Sequence, residues 1–118
     1  MKDHFDGNKS ITLQPGDSAV PYTFTYAACS SATANDGSIP FGTAISSVAV
    51  KAYDDEGTDV TAQMINSSSE SDDVVSVALN YPSTTGDGCY HIEIILTLDS
   101  GAKMETDFVR VYAGDAAA

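Results

Sequence analysis

The stretch Cys89-Tyr90-His91-Ile92-Glu93-Ile94-Ile95-Leu96-Thr97-Leu98 decides the fold. Tyr90, Ile92, Ile94, Leu96 and Leu98 share one side of an extended chain, and His91, Glu93, Ile95 and Thr97 share the other. Successive side chains of a strand point to opposite faces, so this period of two marks a half-buried β-strand. Asp99-Ser100-Gly101-Ala102 follows as a tight hairpin turn.

The same alternation extends in both directions. Lys103 to about Ala113 reads as a last strand, but its apolar positions change parity, with Met104 and Phe108 even and Val109 and Val111 odd. A slip of one residue within a strand predicts a β-bulge near Phe108–Val109. Upstream, Val75, Val77, Leu79 and Tyr81 alternate before the Gly/Thr/Ser turn Pro82 to Gly88. Ile45 to Tyr53 puts Val48, Val50 and Ala52 on one face and ends at Asp54-Asp55-Glu56-Gly57. A short strand is expected around Thr58–Ile65, then a polar loop from Asn66 to Asp72. Nearer the start, Val20, Tyr22, Phe24 and Tyr26 alternate with Pro21, Thr23 and Thr25. Pro21 has no N–H to give, so it belongs at the beginning of its strand or on a sheet edge. Ile11 and Leu13 form a first short strand, closed by Pro15-Gly16-Asp17, and Ala28 to Thr43 is a long loop of small residues containing Asn35-Asp36-Gly37 and Pro40. No segment sustains a helical period.

Seven strands separated by turn signals predict an all-β fold, a β-sandwich. Tyr90 opens the sixth strand just after Gly86-Asp87-Gly88, where the tyrosine corner of immunoglobulin-like domains falls. The expected fold is thus a seven-stranded antiparallel immunoglobulin-like β-sandwich over residues 10–113, with an N-terminal arm at 1–9 and a C-terminal tail at 114–118.

Composition narrows the function. The 118 residues amount to one domain, and 42% hydrophobic content supports a packed core. There are 17 Asp and Glu against 5 Lys and Arg, a formal net charge of −12. Nucleic acid and anionic membranes repel such a chain, because binding them needs cations that displace counterions. The acidity serves solubility, or else meets a basic partner or a divalent cation. Cys29 closes the second strand and Cys89 opens the sixth, which puts them at opposite ends of the sandwich. Strands of about 8 residues span ~26 Å, whereas a disulfide needs Cα atoms within about 7 Å. Two free thiols are expected, in keeping with a reducing compartment. The polar start Met1-Lys2-Asp3-His4-Phe5-Asp6 has no apolar core of a signal peptide, and no run is long enough for a transmembrane helix, so folding in a cytoplasm is expected.

Candidate chemistry is sparse. His4 lies in the N-terminal arm and His91 on the outward side of its strand beside Glu93, and neither comes with a nucleophile and an orienting group. Two cysteines without a second pair make no zinc spacing, and Gly86-Asp87-Gly88 lacks the Lys and helix start of a phosphate loop. Asp54, Asp55, Glu56 and Asp59 cluster in one turn, where calcium is the alternative to a solvated acidic loop, without the EF-hand spacing. No catalytic, cofactor-binding or metal-binding residue is expected. The outward faces, with Ile95 and several Thr, and the two polar arms are the surfaces available for packing.

Gln14-Pro15-Gly16-Asp17 precedes the aromatic strand Tyr22, Phe24, Tyr26; Ile45-Ser46-Ser47 opens the third strand; Gly86 to Tyr90 turns into the strongest strand; Thr97-Leu98-Asp99-Ser100-Gly101 makes the hairpin before Val109-Arg110-Val111. In this order, over about residues 12–112, these features resemble a family of small immunoglobulin-like proteins encoded among the structural genes of tailed bacteriophages and prophages. The third strand departs from that family in having Val50 and Ala52 where it usually carries a Trp, and the loop at 28–43 is longer. The resemblance implies a virion structural or accessory protein, such as a cement-like capsid decoration protein or another head- or tail-attached part. It would be non-enzymatic, without cofactors, assembled in bacterial cytoplasm, and packed on the major capsid or tail protein. Homo-oligomers through the arms or an exposed β-face are the accompanying expectation. The competing reading is a carbohydrate-binding or adhesive module, using loop 28–43, with Phe41 its one aromatic residue, and the hairpin at 99–102.

Overall fold

The computed structural model describes residues 10–105 and 109–114. In chain order the elements are β1 (Ser10–Leu13), β2 (Val20–Thr25), β3 (Ile45–Asp54), α1 (Thr61–Met64), β4 (Ile65–Ser71), β5 (Val74–Leu79), β6 (Gly88–Leu98), β7 (Lys103–Glu105) and β8 (Val109–Ala113). They form two sheets. The larger runs β1-β8-β6-β3, with β7 also paired to β6, and the smaller runs β2-β5-β4. The architecture is an all-β sandwich whose two sheets close on one core.

β6 is the spine of the larger sheet. It pairs antiparallel with β3 from Asp54↔Tyr90 to Ile45↔Leu98, and with β8 from Gly88↔Ala113 to Ile92↔Val109. Its even-numbered side chains from Tyr90 to Leu98 are all buried, as the alternation requires. They meet Phe24, Val75, Val77 and Leu79 from the smaller sheet in a single apolar cluster. Burying such side chains removes apolar surface from water at about 25 cal/mol per Å², the main term holding the two layers together.

Four expectations are corrected. Eight strands are present among the described residues rather than seven. The sheets are not wholly antiparallel, since β1 lies parallel to β8 in the register Ser10↔Arg110 to Leu13↔Ala113. The region around Thr58–Ile65 is not a strand: apart from the Tyr53↔Asp59 bridge it is a turn and the single helical turn α1, and Ile65 is extended only as the first residue of β4. Val60 and Met64 are both buried, and apolar residues at even positions suit an i, i+4 helical pair as well as a short strand. Asp59 tips the choice, because its carboxylate accepts the Thr61 N–H at 2.8 Å and bends the chain into a turn. Lastly, Asn66 to Ser71 is not a loop: it belongs to β4, which pairs with β5 from Ile65↔Leu79 to Ser71↔Val74. Its side chains are polar on both sides, so no apolar period betrays it, and polar residues on an edge strand discourage pairing with other chains.

Other expectations hold. Pro21 is the second residue of β2, on the sheet edge. The Tyr26 N–H continues the ladder to the Asp73 carbonyl at 2.6 Å, so even-numbered backbone groups of β2 point toward β5. The missing N–H of Pro21 therefore falls on the open side, where it costs no ladder bond. Both cysteines are free, Cys29 buried and Cys89 exposed. The expected bulge near Phe108–Val109 falls on Phe108, outside the described residues, as do the arm 1–9 with His4 and the tail residues 115–118. Register shifts are seen instead between Ile45 and Ser47 and between Ile65 and Ser67.

The loop 28–43 is built rather than slack. Ala28 pairs with Ile39 in a parallel bridge, and the Cys29 N–H donates to the Ile39 carbonyl at 2.9 Å. Across the loop, Ser30 gives its N–H and its hydroxyl to the two carboxylate oxygens of Asp36, at 2.9 and 2.6 Å. Ile39 is fully buried and plugs the end of the core.

Ala19, between β1 and β2, has φ +53°. Its N–H donates to Asn80 Oδ1 at 2.8 Å, and the Tyr81 N–H donates to the Asp17 carbonyl at 3.0 Å, which fastens this loop to the end of β5. A Cβ at positive φ is strained, and glycine relieves it. Ala19→Gly is therefore expected to raise stability by about 1 kcal/mol, read as a higher urea midpoint at unchanged m-value.

Candidate functional site

Three places merit consideration: the acidic turn after β3, the loop end around Phe41, and the outward face of the larger sheet. Two carboxylates of the acidic turn, those of Asp54 and Asp59, are engaged within the turn itself. Asp54 Oδ1 accepts the N–H groups of Glu56 at 3.0 Å and Thr58 at 2.8 Å. Hydrogen bonds from Thr61, through its side chain first and its backbone second, hold the Asp59 carboxyl below the ordinary aspartate range. Among the described residues, no group of three or more His, Cys, Asp or Glu is gathered as a metal site.

At the loop end, Cys29, Ser31, Ala32, Ala34, Pro40 and Phe41 line an open depression of about 400 Å³. Phe41 is 55% exposed. The hairpin at 99–102 does share this end, since the Asp99 N–H donates to the Ala44 carbonyl at 2.9 Å.

The outward face of the larger sheet collects more chemistry. His91 faces Tyr53 on β3 and Arg110 on β8 in one cross-strand row. The Tyr53 and His91 rings stack with centroids 5.4 Å apart and planes 26° from parallel. Cys89 is next along the same side of β6 and pairs with Tyr112, which is 45% exposed. Asp55, Cys89, Tyr90, His91 and Arg110 line a second open depression of about 400 Å³. One row in the other direction, Lys51 pairs with Glu93, and Lys103 of β7 pairs with Thr97. Lys51, Lys103 and Arg110 are all the Lys and Arg among the described residues. Every one of them thus lies on this face of a protein whose formal charge is −12.

Of the residues singled out in the sequence, His91, Glu93 and Ile95 share this face as the parity predicts, all three half-buried. Arg110 and Tyr112 were the residues overlooked. Their signal was legible, because Val109 and Val111 are buried while Arg110 and Tyr112 alternate with them to the outside. That Asp55 joins them is decided by strand order, which no local pattern carries.

The turn before β6 is tied by side-chain hydrogen bonds. The Tyr90 hydroxyl donates to the Gly86 carbonyl at 2.6 Å. Burial, with help from the negative charges of Asp54, Asp55 and Asp87, raises the Tyr90 phenol above its usual range. The Tyr81 hydroxyl donates to Asp87 Oδ1, and that bond pushes the Tyr81 phenol up to about 12. Thr85 adds its N–H and hydroxyl to Gln63 Oε1, at 3.1 and 2.7 Å. Gly86-Asp87-Gly88 is thus a structural corner. Tyr90→Phe removes the bond to Gly86 and is expected to cost about 1–1.5 kcal/mol, measurable as a lower denaturant midpoint with an unchanged circular dichroism spectrum.

Among the described residues the buried side chains are apolar but for the hydroxyls of Tyr26 and Tyr90 and the thiol of Cys29. Among them too, no helix is long and apolar enough to cross a membrane. Neither a protein-family model nor a curated protein sequence matches this chain.

Proposed function

We propose that this chain is an immunoglobulin-like β-sandwich acting as a non-enzymatic structural or accessory subunit of a tailed-phage particle. Capsid decoration is the role we favour, with the domain laid on the major capsid or tail protein. The observation that carries the immunoglobulin-like part is the strand order, while the phage role rests on the resemblance of the motifs between Gln14 and Val111. β2-β5-β4 against β3-β6-β8, with β1 parallel on β8, follows the order in which immunoglobulin-like domains oppose their B-E-D and C-F-G strands. The Tyr90 hydroxyl on the Gly86 carbonyl supports it, as this is the bond of a tyrosine corner. Repetition over a particle would turn weak single contacts into stable coverage.

The test is quantitative mass spectrometry of particles purified from the source phage or an induced prophage. Many copies per particle are expected, and absence from washed particles overturns the reading. Phe41, exposed beside its depression, favours a second reading, an adhesive module that stacks on saccharides. Binding on a glycan array that is lost in Phe41→Ala would promote it over the first.

A further inference from the structure

We infer that the outward face of the larger sheet is the interface of a two-fold dimer, occupied by the same face of a second copy of this chain. Charge placement is the first reason. All described Lys and Arg lie on this face, and the acidic turn Asp54-Asp55-Glu56 stands at its β3 border. A molecule at −12 repels its own copies everywhere except where positive and negative groups alternate on one surface.

Register supplies the second reason. Arg110, His91 and Tyr53 form one row across β8, β6 and β3, so the Arg110 and Tyr53 backbones are ~10 Å apart with His91 between them. A two-fold axis along β6 lays β8 of one copy over β3 of the other. Arg110 then lies over Tyr53 of the partner subunit, with the acidic Asp55–Glu56 corner one row on, twice over, while the two His91 rings meet on the axis and each Glu93 there is flanked by Lys51 of its own chain. An isologous interface needs this self-complementarity, in which residue i meets j and j meets i. Exposed Tyr112 and Arg110 are also the residue types enriched at interface centres.

The area suits a weak, concentration-dependent dimer. With β1, β8, β7, β6 and β3 at 4, 5, 3, 11 and 10 residues, ~3.3 Å per residue and ~4.8 Å between strands, the face is roughly 500 Å². Specific interfaces of standard size bury about 800 Å² per partner. The dimer holds whether or not the chain belongs to a particle, so this test and the previous one fail separately.

The experiment is sedimentation velocity on the full chain over a concentration series, at low and physiological salt. Wild type is expected to dimerise and to weaken as salt rises. Arg110→Glu alone, and Asp55→Lys with Glu56→Lys alone, are each expected to weaken the dimer about tenfold or more. Mixed in equal amounts, the two variants should associate as well as wild type. The glutamate introduced in one chain then meets the lysines introduced in the other, and the native Arg110 of the second meets the native acids of the first. Cys89 gives an independent readout, since the same axis brings the two exposed thiols together. A short bis-maleimide should join wild-type chains through Cys89, and the product should vanish in Cys89→Ser. Wild type monomeric at every concentration, a dimer indifferent to the swaps, or failure of folded variants to rescue each other overturns the inference.

Discussion

Gly37→Ala is expected to destabilise the domain by about 3 kcal/mol, among the larger effects of a single methyl group. The reason is backbone against backbone. A Cβ at position 37 would stand 2.5 Å from the Cys29 nitrogen, 2.6 Å from the Ala27 oxygen and 2.6 Å from the Ala28 carbonyl carbon. None of these atoms ends a flexible side chain, so none swings aside. Room for the methyl opens only if the loop shifts, and a shift breaks the bonds that close it. Those bonds are the Ser38 N–H to the Ala27 carbonyl at 2.7 Å and the Cys29 N–H to the Ile39 carbonyl at 2.9 Å. The check is a urea midpoint, with Gly16→Ala as comparison: Gly16 has open space around its Cβ but φ +96°, so its cost is backbone strain alone. A Gly37→Ala protein as stable as wild type would mean that the two loop limbs do not touch as described.

Ile39→Ala is the second large effect, expected at about 3 kcal/mol. Ile39 has no exposed surface and belongs to the central cluster although it lies in a loop. Truncation loses the transfer energy of the deleted carbons and leaves a cavity that the neighbouring strands fill only partly. Phe41, two positions on and 55% exposed, is the contrast. Phe41→Ala should change stability by no more than about 0.5 kcal/mol, as surface substitutions do. Chemical denaturation of both variants side by side reads the difference. Equal effects would remove the plug from the account of the core.

Together these variants bear on how the loop is described. Read as sequence, residues 28–43 are mostly small and polar, and the run resembles a slack connection. Asn35-Asp36-Gly37 signals a turn in that reading and nothing more. What gives Gly37 its importance is a close approach to residues 27–29, and what gives Ile39 its importance is a bridge to Ala28. Both are contacts between chain limbs, and a one-dimensional pattern does not record them. The candidate interface divides in the same way. That His91, Glu93 and Ile95 face outward was legible from parity in β6, and the same rule applied to β8 yields Arg110 and Tyr112. That these residues form one surface with Tyr53 and Asp55 depends on β6 lying between β3 and β8.

Neighbouring residues alone settle the β character of the chain, the burial of Tyr90, Ile92, Ile94, Leu96 and Leu98, and that Pro21 begins its strand or lies on an edge. Each of these is written in neighbouring residues: side chains that alternate by two, or a ring that removes an N–H. Three features come instead from long-range contacts: the parallel seating of β1 on β8, the strand made by Asn66 to Ser71, and the helical turn at Thr61–Met64. The first is a pairing of the two ends of the domain. The second is held by backbone bonds to β5 that polar side chains do not advertise. The third rests on Val60 and Met64 reaching a core built by strands far away in the chain. Local periodicity reports which face a residue shows, whereas its neighbour across the sheet is set by how the whole chain closes on its core.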